Sequence, residues 1–175
     1  NVFNVPQKVL TVSTYDDEKL SGAEYNYYYM SLYNQIYQMA YEYESMYSSY
    51  GSGYGSYFTG FDCSLDPAEQ EYPYDDAPES VKTWGDYFKE MASTRAFLMN
   101  AMYEKANSEE AKELGFELTE DLKKEIKTEI DETIKSLSDS AKENDFALDN
   151  YIARVCGEGL SEKSYREKKE KDSIA

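Results

Sequence analysis

The sequence predicts a mostly α-helical protein with one short β-strand near its N-terminus. Three long segments carry apolar side chains at helical spacing, and residues that favour helix starts precede two of them. After residue 108 the chain is rich in Glu, Lys, Leu and Ile at that spacing. A chain of 175 residues buries enough surface to fold without a metal ion or a disulfide. We therefore expect a single helical domain over residues 1–175.

The first half of the chain contains a strand, a helix and a long loop, in that order. Residues 8–13 have the β-branched content of a short strand. A helix is expected over residues 21–50, because Ser21 and Glu24 match the capping-box pattern at its start. Residues 51–80 are rich in Gly, Ser, Tyr, Asp and Pro without a consistent period. They are expected to form a loop, and a loop of that length is typically functional or disordered.

The second half is expected to be helical almost throughout. Ser108–Leu114 should form a short helix that Gly115 ends, and Thr119 is placed to cap a longer one. The last helix carries almost only charged side chains, which is typical of a frayed end or of part of a longer helix. The other helices are predicted over residues 80–106, 119–143, 148–156 and 161–172.

The helix over residues 21–50 is apolar on two faces. One face repeats every seven residues, like the seam of a coiled coil, and is expected to be core. Its members are Tyr25, Tyr29, Leu32, Ile36, Met39, Tyr43, Met46 and Tyr50. Two other long helices do not suffice to cover the opposite face as well, and its tyrosines and methionine suit a surface that holds varied partners. The expected binding residues on this face are Met30, Tyr33, Tyr37 and Tyr41.

Composition excludes several classes of function. The chain has 35 acidic and 18 basic residues, a formal charge of −17, and no histidine. Nucleic acids and anionic membrane surfaces are not expected as partners, because both are bound through basic side chains. The lack of histidine excludes Ser-His-Asp, Cys-His and histidine-ligated metal sites. No apolar run approaches the ~20 residues of a membrane span, and any targeting segment is expected outside these residues.

The sequence shows no catalytic residues, and we expect no cofactor or metal. The acidic residues of the 51–80 segment lack the alternating spacing of an EF-hand, so they are expected to be solvated. These residues are Asp62, Asp66, Glu69, Glu71, Asp75 and Asp76. Cys63 and Cys156 have no paired spacing of the kind that zinc or redox sites use. They are expected to be free thiols, although one disulfide is possible in an oxidising compartment.

Three segments resemble the SurA/PrsA family of extracytoplasmic chaperones. Residues 18–29 (EKLSGAEYNYYY) resemble the start of its helical domain, in the tyrosine-rich form of Firmicute foldases. Residues 111–120 resemble the family's helix, glycine and entry into the next long helix. Residues 141–151, followed by 157–161, give a third similar patch in the same order. The family's Val-Asn-Gly turn is replaced by residues 13–17, and no parvulin-type domain is present.

The resemblance covers roughly residues 9–48 and 81–172, and it implies a SurA/trigger-factor-like peptide-binding domain. It also implies an extracytoplasmic location, with unfolded or partly folded exported polypeptides as partners. Peptidyl-prolyl isomerase activity would belong only to a longer parent with a parvulin-type domain, so whether the protein is an enzyme stays open. We predict a holdase that binds apolar segments without chemistry. The alternatives are a structural or self-associating module at the cell surface and, less favoured, a carbohydrate-binding surface.

Overall fold

The computed structural model describes residues 11–15 and 18–175, and these are mostly helical. The predicted fold class is therefore confirmed. Residues 8–10 of the predicted strand lie outside the described residues. The strand that is described, β1 (Thr11–Tyr15), pairs with a second one, β2 (Glu18–Ser21), in an antiparallel hairpin. β2 was not predicted, and it places Leu20 in a fully buried position.

The first helix, α1 (Gly22–Tyr47), begins at the predicted capping box. The Ser21 hydroxyl oxygen accepts from the backbone N–H of Glu24, and the Glu24 carboxylate accepts from the backbone N–H of Ser21 at 3.3 Å. A 3₁₀ turn over Ser48–Tyr50 ends this helical segment. The segment predicted as a loop then contains a short helix, α2 (Tyr54–Thr59), and a 3₁₀ turn over Pro67–Glu69.

The remaining helices are α3 (Trp84–Ala106), α4 (Glu109–Glu113), α5 (Glu120–Glu143), α6 (Leu148–Cys156) and α7 (Glu162–Ile174). The predicted Thr119 cap of α5 is confirmed, because its side chain accepts from a backbone N–H group of the first turn. Ser108 and Ser161, where the next shorter helices were predicted to begin, cap α4 and α7 in the same way. α3 begins four residues later than predicted. Its cap is Thr83, whose hydroxyl oxygen accepts from the Asp86 N–H at 3.1 Å.

The described residues form two compact units. The central unit is Tyr28–Thr94, and the terminal unit combines the described residues up to Tyr27 with Arg95–Ala175. The core of the central unit is aromatic. Phe61 and Phe88 are fully buried, Trp84 lies edge-on to Phe61 with ring centroids 5.4 Å apart, and the Trp84 indole N–H donates to the Gly60 carbonyl at 2.7 Å.

The core of the terminal unit is formed by α5, α6 and α7. Ile126, Ile130 and Ile134 form the buried stripe of α5. At the corner after α6, Gly157 has φ +140°, and a Cβ there would lie 2.7–2.9 Å from backbone atoms of Asn26 and Tyr27. Only glycine allows so close an approach of this corner to α1.

α7 is a packed helix, so the prediction of a frayed end is wrong. Its Tyr165 is buried and lies edge-on to Tyr27, with ring centroids 5.9 Å apart. Lys168 is also buried, and its Nζ lies 3.3 Å from Asn100 Oδ1 and 3.8 Å from Asp172. The sequence pattern missed this contact because the long lysine side chain supplies apolar surface that is not visible as an apolar stripe.

Candidate functional site

The four residues predicted as a binding surface lie on a largely covered face of α1. Tyr33 packs edge-on against Phe88 and Phe61, with ring centroids 5.9 and 6.0 Å apart. Met30 and Tyr37 are half-buried, and the Tyr37 carbonyl accepts a weak hydrogen bond from the Cys63 thiol at 3.6 Å. Only Tyr41 is mostly exposed, with 56% of its surface accessible. The expectation that this face of α1 is open is therefore wrong except at Tyr41.

The heptad seam predicted as core is open over its C-terminal half. Leu32 and Ile36 pack against the core, but Met39, Met46 and Tyr50 are exposed. The residues that cover α1 belong to the segment after it, which folds back so that Phe61 and α3 meet the tyrosine side of the helix. The seam prediction assumed that a neighbouring helix would cover the seam rather than the opposite face.

Six aromatic rings gather where the exposed half of the seam meets α2. Phe58 is at the centre: its ring centroid lies 4.8 Å from that of Tyr43, 5.4 Å from Tyr47 and 5.1 Å from Tyr57. Tyr47 also stacks on Tyr54 at 5.3 Å and contacts Tyr50 at 6.4 Å. We call this set the aromatic patch; its members are Tyr43, Tyr47, Tyr50, Tyr54, Tyr57 and Phe58.

Much of the aromatic patch faces solvent. The exposed fractions are 77% for Tyr50, 79% for Tyr57 and 46% for Phe58. With roughly 200 Å² of surface for each aromatic side chain, these three alone expose about 400 Å². Met46, in the last turn of α1, is exposed as well. Exposed apolar patches of roughly 300–600 Å² on a monomer are often functional.

α2 is held against α1 by a carboxylate and by a glycine. The two Glu44 carboxylate oxygens accept from the backbone N–H of Gly53 at 2.9 and 3.1 Å, and one of them accepts from the N–H of Gly55 at 2.9 Å. These backbone hydrogen bonds hold the pKa of Glu44 below its usual value. Gly55 lies so close to the Ala40 carbonyl that a Cβ would collide with it. The rings of α2 are therefore fixed in position rather than carried by a free loop.

A cavity of about 360 Å³ lies beside α2, lined by Glu44, Ser56, Phe61, Asp62 and Cys63 among others. Burial, with the nearby carboxylates, raises the pKa of the Cys63 thiol. Burial also raises the pKa of Cys156, which lies in the terminal unit, to about 11. Both cysteines are free. A thiol that stays protonated near neutral pH is a poor nucleophile, so neither cysteine is an activated catalytic group.

The acidic residues of the 51–80 segment that have hydrogen-bond partners stabilise turns. Asp62 accepts from the backbone N–H of Ser64 at 2.8 Å, Asp66 caps the 3₁₀ turn through the Ala68 N–H, and Asp76 accepts from the Tyr72 hydroxyl. Across the described residues, no group of three or more acidic or cysteine side chains is arranged to hold a metal ion. Within those same residues, none of the helices has both the length and the apolar character needed to cross a membrane.

The aromatic patch belongs to a strongly acidic unit. Residues 28–94 carry eleven acidic and two basic side chains, a formal charge of −9, and no basic residue occurs between Lys19 and Lys82. Glu42 is exposed on α1, four residues before Met46 and three after Met39, so it lies on the same side of the helix as these two exposed methionines.

The patch therefore offers exposed aromatic rings within a strongly acidic unit, and the cavity beside it offers polar groups without an activated nucleophile. The sequence predicted a binding surface on the face of Met30, Tyr33, Tyr37 and Tyr41, whereas most of the exposed rings lie on the other face of α1 and on α2. The sequence analysis did not predict α2, although the closely spaced aromatic residues Tyr54, Tyr57 and Phe58 could have indicated an ordered aromatic segment there. The resemblance to the SurA/PrsA family stays a prediction. Comparison of the chain with family models, with curated proteins and with solved structures finds no match.

Proposed function

We propose that this chain is the chaperone domain of an exported foldase, a holdase that binds apolar segments of unfolded polypeptides without chemistry on them. The observation that carries the proposal is the aromatic patch, which is exposed and yet fixed in place by the Glu44 contacts with Gly53 and Gly55. Tyrosine and methionine side chains adapt to varied apolar partners. An area of a few hundred Å² suits weak, reversible contacts, which a holdase needs in order to release its clients.

The extracytoplasmic location and the membership of a SurA/PrsA-type foldase are part of the same proposal and rest on the sequence resemblance. Peptidyl-prolyl isomerase activity is assigned only to a longer parent that contains a parvulin-type domain. Tyr41, which is exposed and stacks on Tyr37 with ring centroids 6.5 Å apart, is kept as a secondary client contact from the face predicted by sequence.

Self-association through the patch is the second candidate, and two observations disfavour it. A stable dimer buries roughly 800 Å² on each partner, about twice the area that Tyr50, Tyr57 and Phe58 expose. Pairing two patches would also bring together two units that each carry a charge of −9. A carbohydrate surface is disfavoured because several patch rings, such as Tyr43 and Phe58, stack on each other rather than present open faces.

The test is suppression of aggregation of a chemically unfolded client protein by the full chain. The double variant Tyr50→Ser/Tyr57→Ser removes the two most exposed rings, and it should lose most of the suppression while keeping its circular dichroism spectrum. The matched control is Leu114→Ser/Phe116→Ser, which removes two exposed apolar side chains from the terminal unit. This control should suppress aggregation as well as the unchanged chain does.

Full suppression by the patch variant would show that the aromatic patch is not the client surface. Absence of suppression by the unchanged chain at a several-fold molar excess over client would contradict the holdase function itself. Sedimentation velocity over a range of protein concentrations tests self-association separately, and a dimer that the patch variant dissociates would favour the second candidate.

A further inference from the structure

The charge around the aromatic patch narrows the range of clients that it can hold. The central unit has a formal charge of −9, and its two basic residues are Lys82 and Lys89. Lys89 lies 3.7 Å from Asp86, so part of this small positive charge is already compensated. A segment that docks on the patch therefore enters a negative field with little positive charge nearby.

Glu42 places a negative charge one turn before Met46, the exposed methionine that directly precedes Tyr47 of the patch. It is exposed, and no ion pair to it occurs among the described residues. The other carboxylate of this part of α1, Glu44, is already engaged by Gly53 and Gly55. Exposed tyrosine rings also attract cations through their faces, so the rings and the carboxylate favour the same kind of partner.

We propose that the aromatic patch selects cationic apolar segments, in which Lys or Arg lies next to aromatic or aliphatic residues. The apolar side chains pack on Phe58 and its neighbouring rings, and the cations lie toward Glu42 and the tyrosine faces. Acidic apolar segments are rejected by charge repulsion. This inference rests on the holdase proposal and goes further, because apolar binding alone would not distinguish clients by charge.

The experiment uses the full chain and three peptides with the same Phe and Leu positions, whose polar positions are all Lys, all Gln or all Glu. Binding is measured by titration calorimetry at low and high ionic strength. The Lys peptide should bind at least about ten-fold more tightly than the Glu peptide at low salt, with the Gln peptide between them. The difference should shrink near 1 M salt, where the Debye length falls to about 3 Å.

Two variants locate the effect. Tyr50→Ser/Tyr57→Ser should weaken binding of both the Lys and the Gln peptide, because it removes shared apolar contacts. Glu42→Gln should weaken binding of the Lys peptide about two- to three-fold, as expected for the loss of one exposed ion pair. The affinity for the Gln peptide should not change. Glu132→Gln, which removes an exposed carboxylate from α5 in the terminal unit, is the matched control and should change neither.

The outcomes separate this inference from the function on which it rests. Equal affinity for the three peptides, lost in the patch variant, would overturn the charge selection and leave the holdase intact. Binding of the Lys peptide that is insensitive to the patch variant would show attraction to the acidic surface in general and would also overturn the inference. Failure of all three peptides to bind would contradict the proposed function and the inference together.

Discussion

Tyr33→Ala should destabilise the central unit strongly, whereas Tyr41→Ala should not. Tyr33 lies edge-on to both Phe61 and Phe88, and burial raises the pKa of its hydroxyl. Truncation of a fully buried aromatic side chain costs about 3–5 kcal/mol, so about 2–3 kcal/mol is expected for the half-buried Tyr33. Tyr41 is 56% exposed, and its loss should cost at most about 1 kcal/mol.

The measurement is urea unfolding followed by tryptophan fluorescence. Trp84 is the only tryptophan of the chain and lies in the same cluster, 5.5 Å from Phe88, so its emission reports on the central unit. With a slope of about 1–2 kcal/mol per molar urea, the Tyr33→Ala midpoint should fall by about 1–3 M. Both substitutions place alanine within α1, so the gain in helix propensity is the same and cancels. Equal midpoints for Tyr33→Ala and the unchanged chain, or a larger loss for Tyr41→Ala, would refute the assignment of the buried face.

Two further predictions concern the terminal unit. Gly157→Ala should lower the free energy of unfolding, measured by thermal unfolding, by about 3 kcal/mol or more, because φ is positive and the added Cβ meets the backbone of α1. Gly115→Ala is the control and should lower it by about 1 kcal/mol, because Gly115 has φ +82° but open space around it. Similar losses for the two variants would contradict the close approach of Gly157 to α1. Burial raises the pKa of Cys156 from 9.0 to about 11, so the folded state holds the thiol proton more tightly than the unfolded state does. The stability that this thiol contributes is complete below pH 9 and is lost as the pH rises through about 11. The free energy of unfolding should therefore fall less steeply over this pH range in Cys156→Ala than in Cys63→Ala. An unchanged slope in Cys156→Ala would show that the Cys156 thiol does not cause the pH dependence.

Helix boundaries were predictable because they depend on residues within one turn of each other. The Ser21 and Glu24 capping box and the Thr119 cap were each visible in the sequence, and each makes the expected contact. The stripe of α5 was visible for a similar reason, since one face of that helix is apolar and the other is charged. These signals require no knowledge of what else packs on the helix.

The face of α1 that carries the candidate site was not predictable in the same way. Both faces are rich in tyrosine and methionine, so the pattern specifies a helix without saying which side is covered. The segment over residues 51–83 decides this, because it carries Phe61 against Tyr33 and brings Phe58 beside Tyr43. Its Gly, Ser and Pro content has no period, and its position depends on contacts such as the Glu44 carboxylate with Gly53.

The sequence by itself determined the helical class, the order and bounds of most helices, the acidic character and the abundance of aromatic residues on α1. Only the tertiary structure decided which of these rings are exposed, that α2 adds to them, and that α7 packs through Tyr165 and Lys168. The physical reason is the distance along the chain over which each kind of interaction acts. Capping and helical spacing act between residues three or four apart, whereas burial of a tyrosine depends on which distant segment reaches it, and a helix with two apolar faces leaves that choice to the rest of the chain.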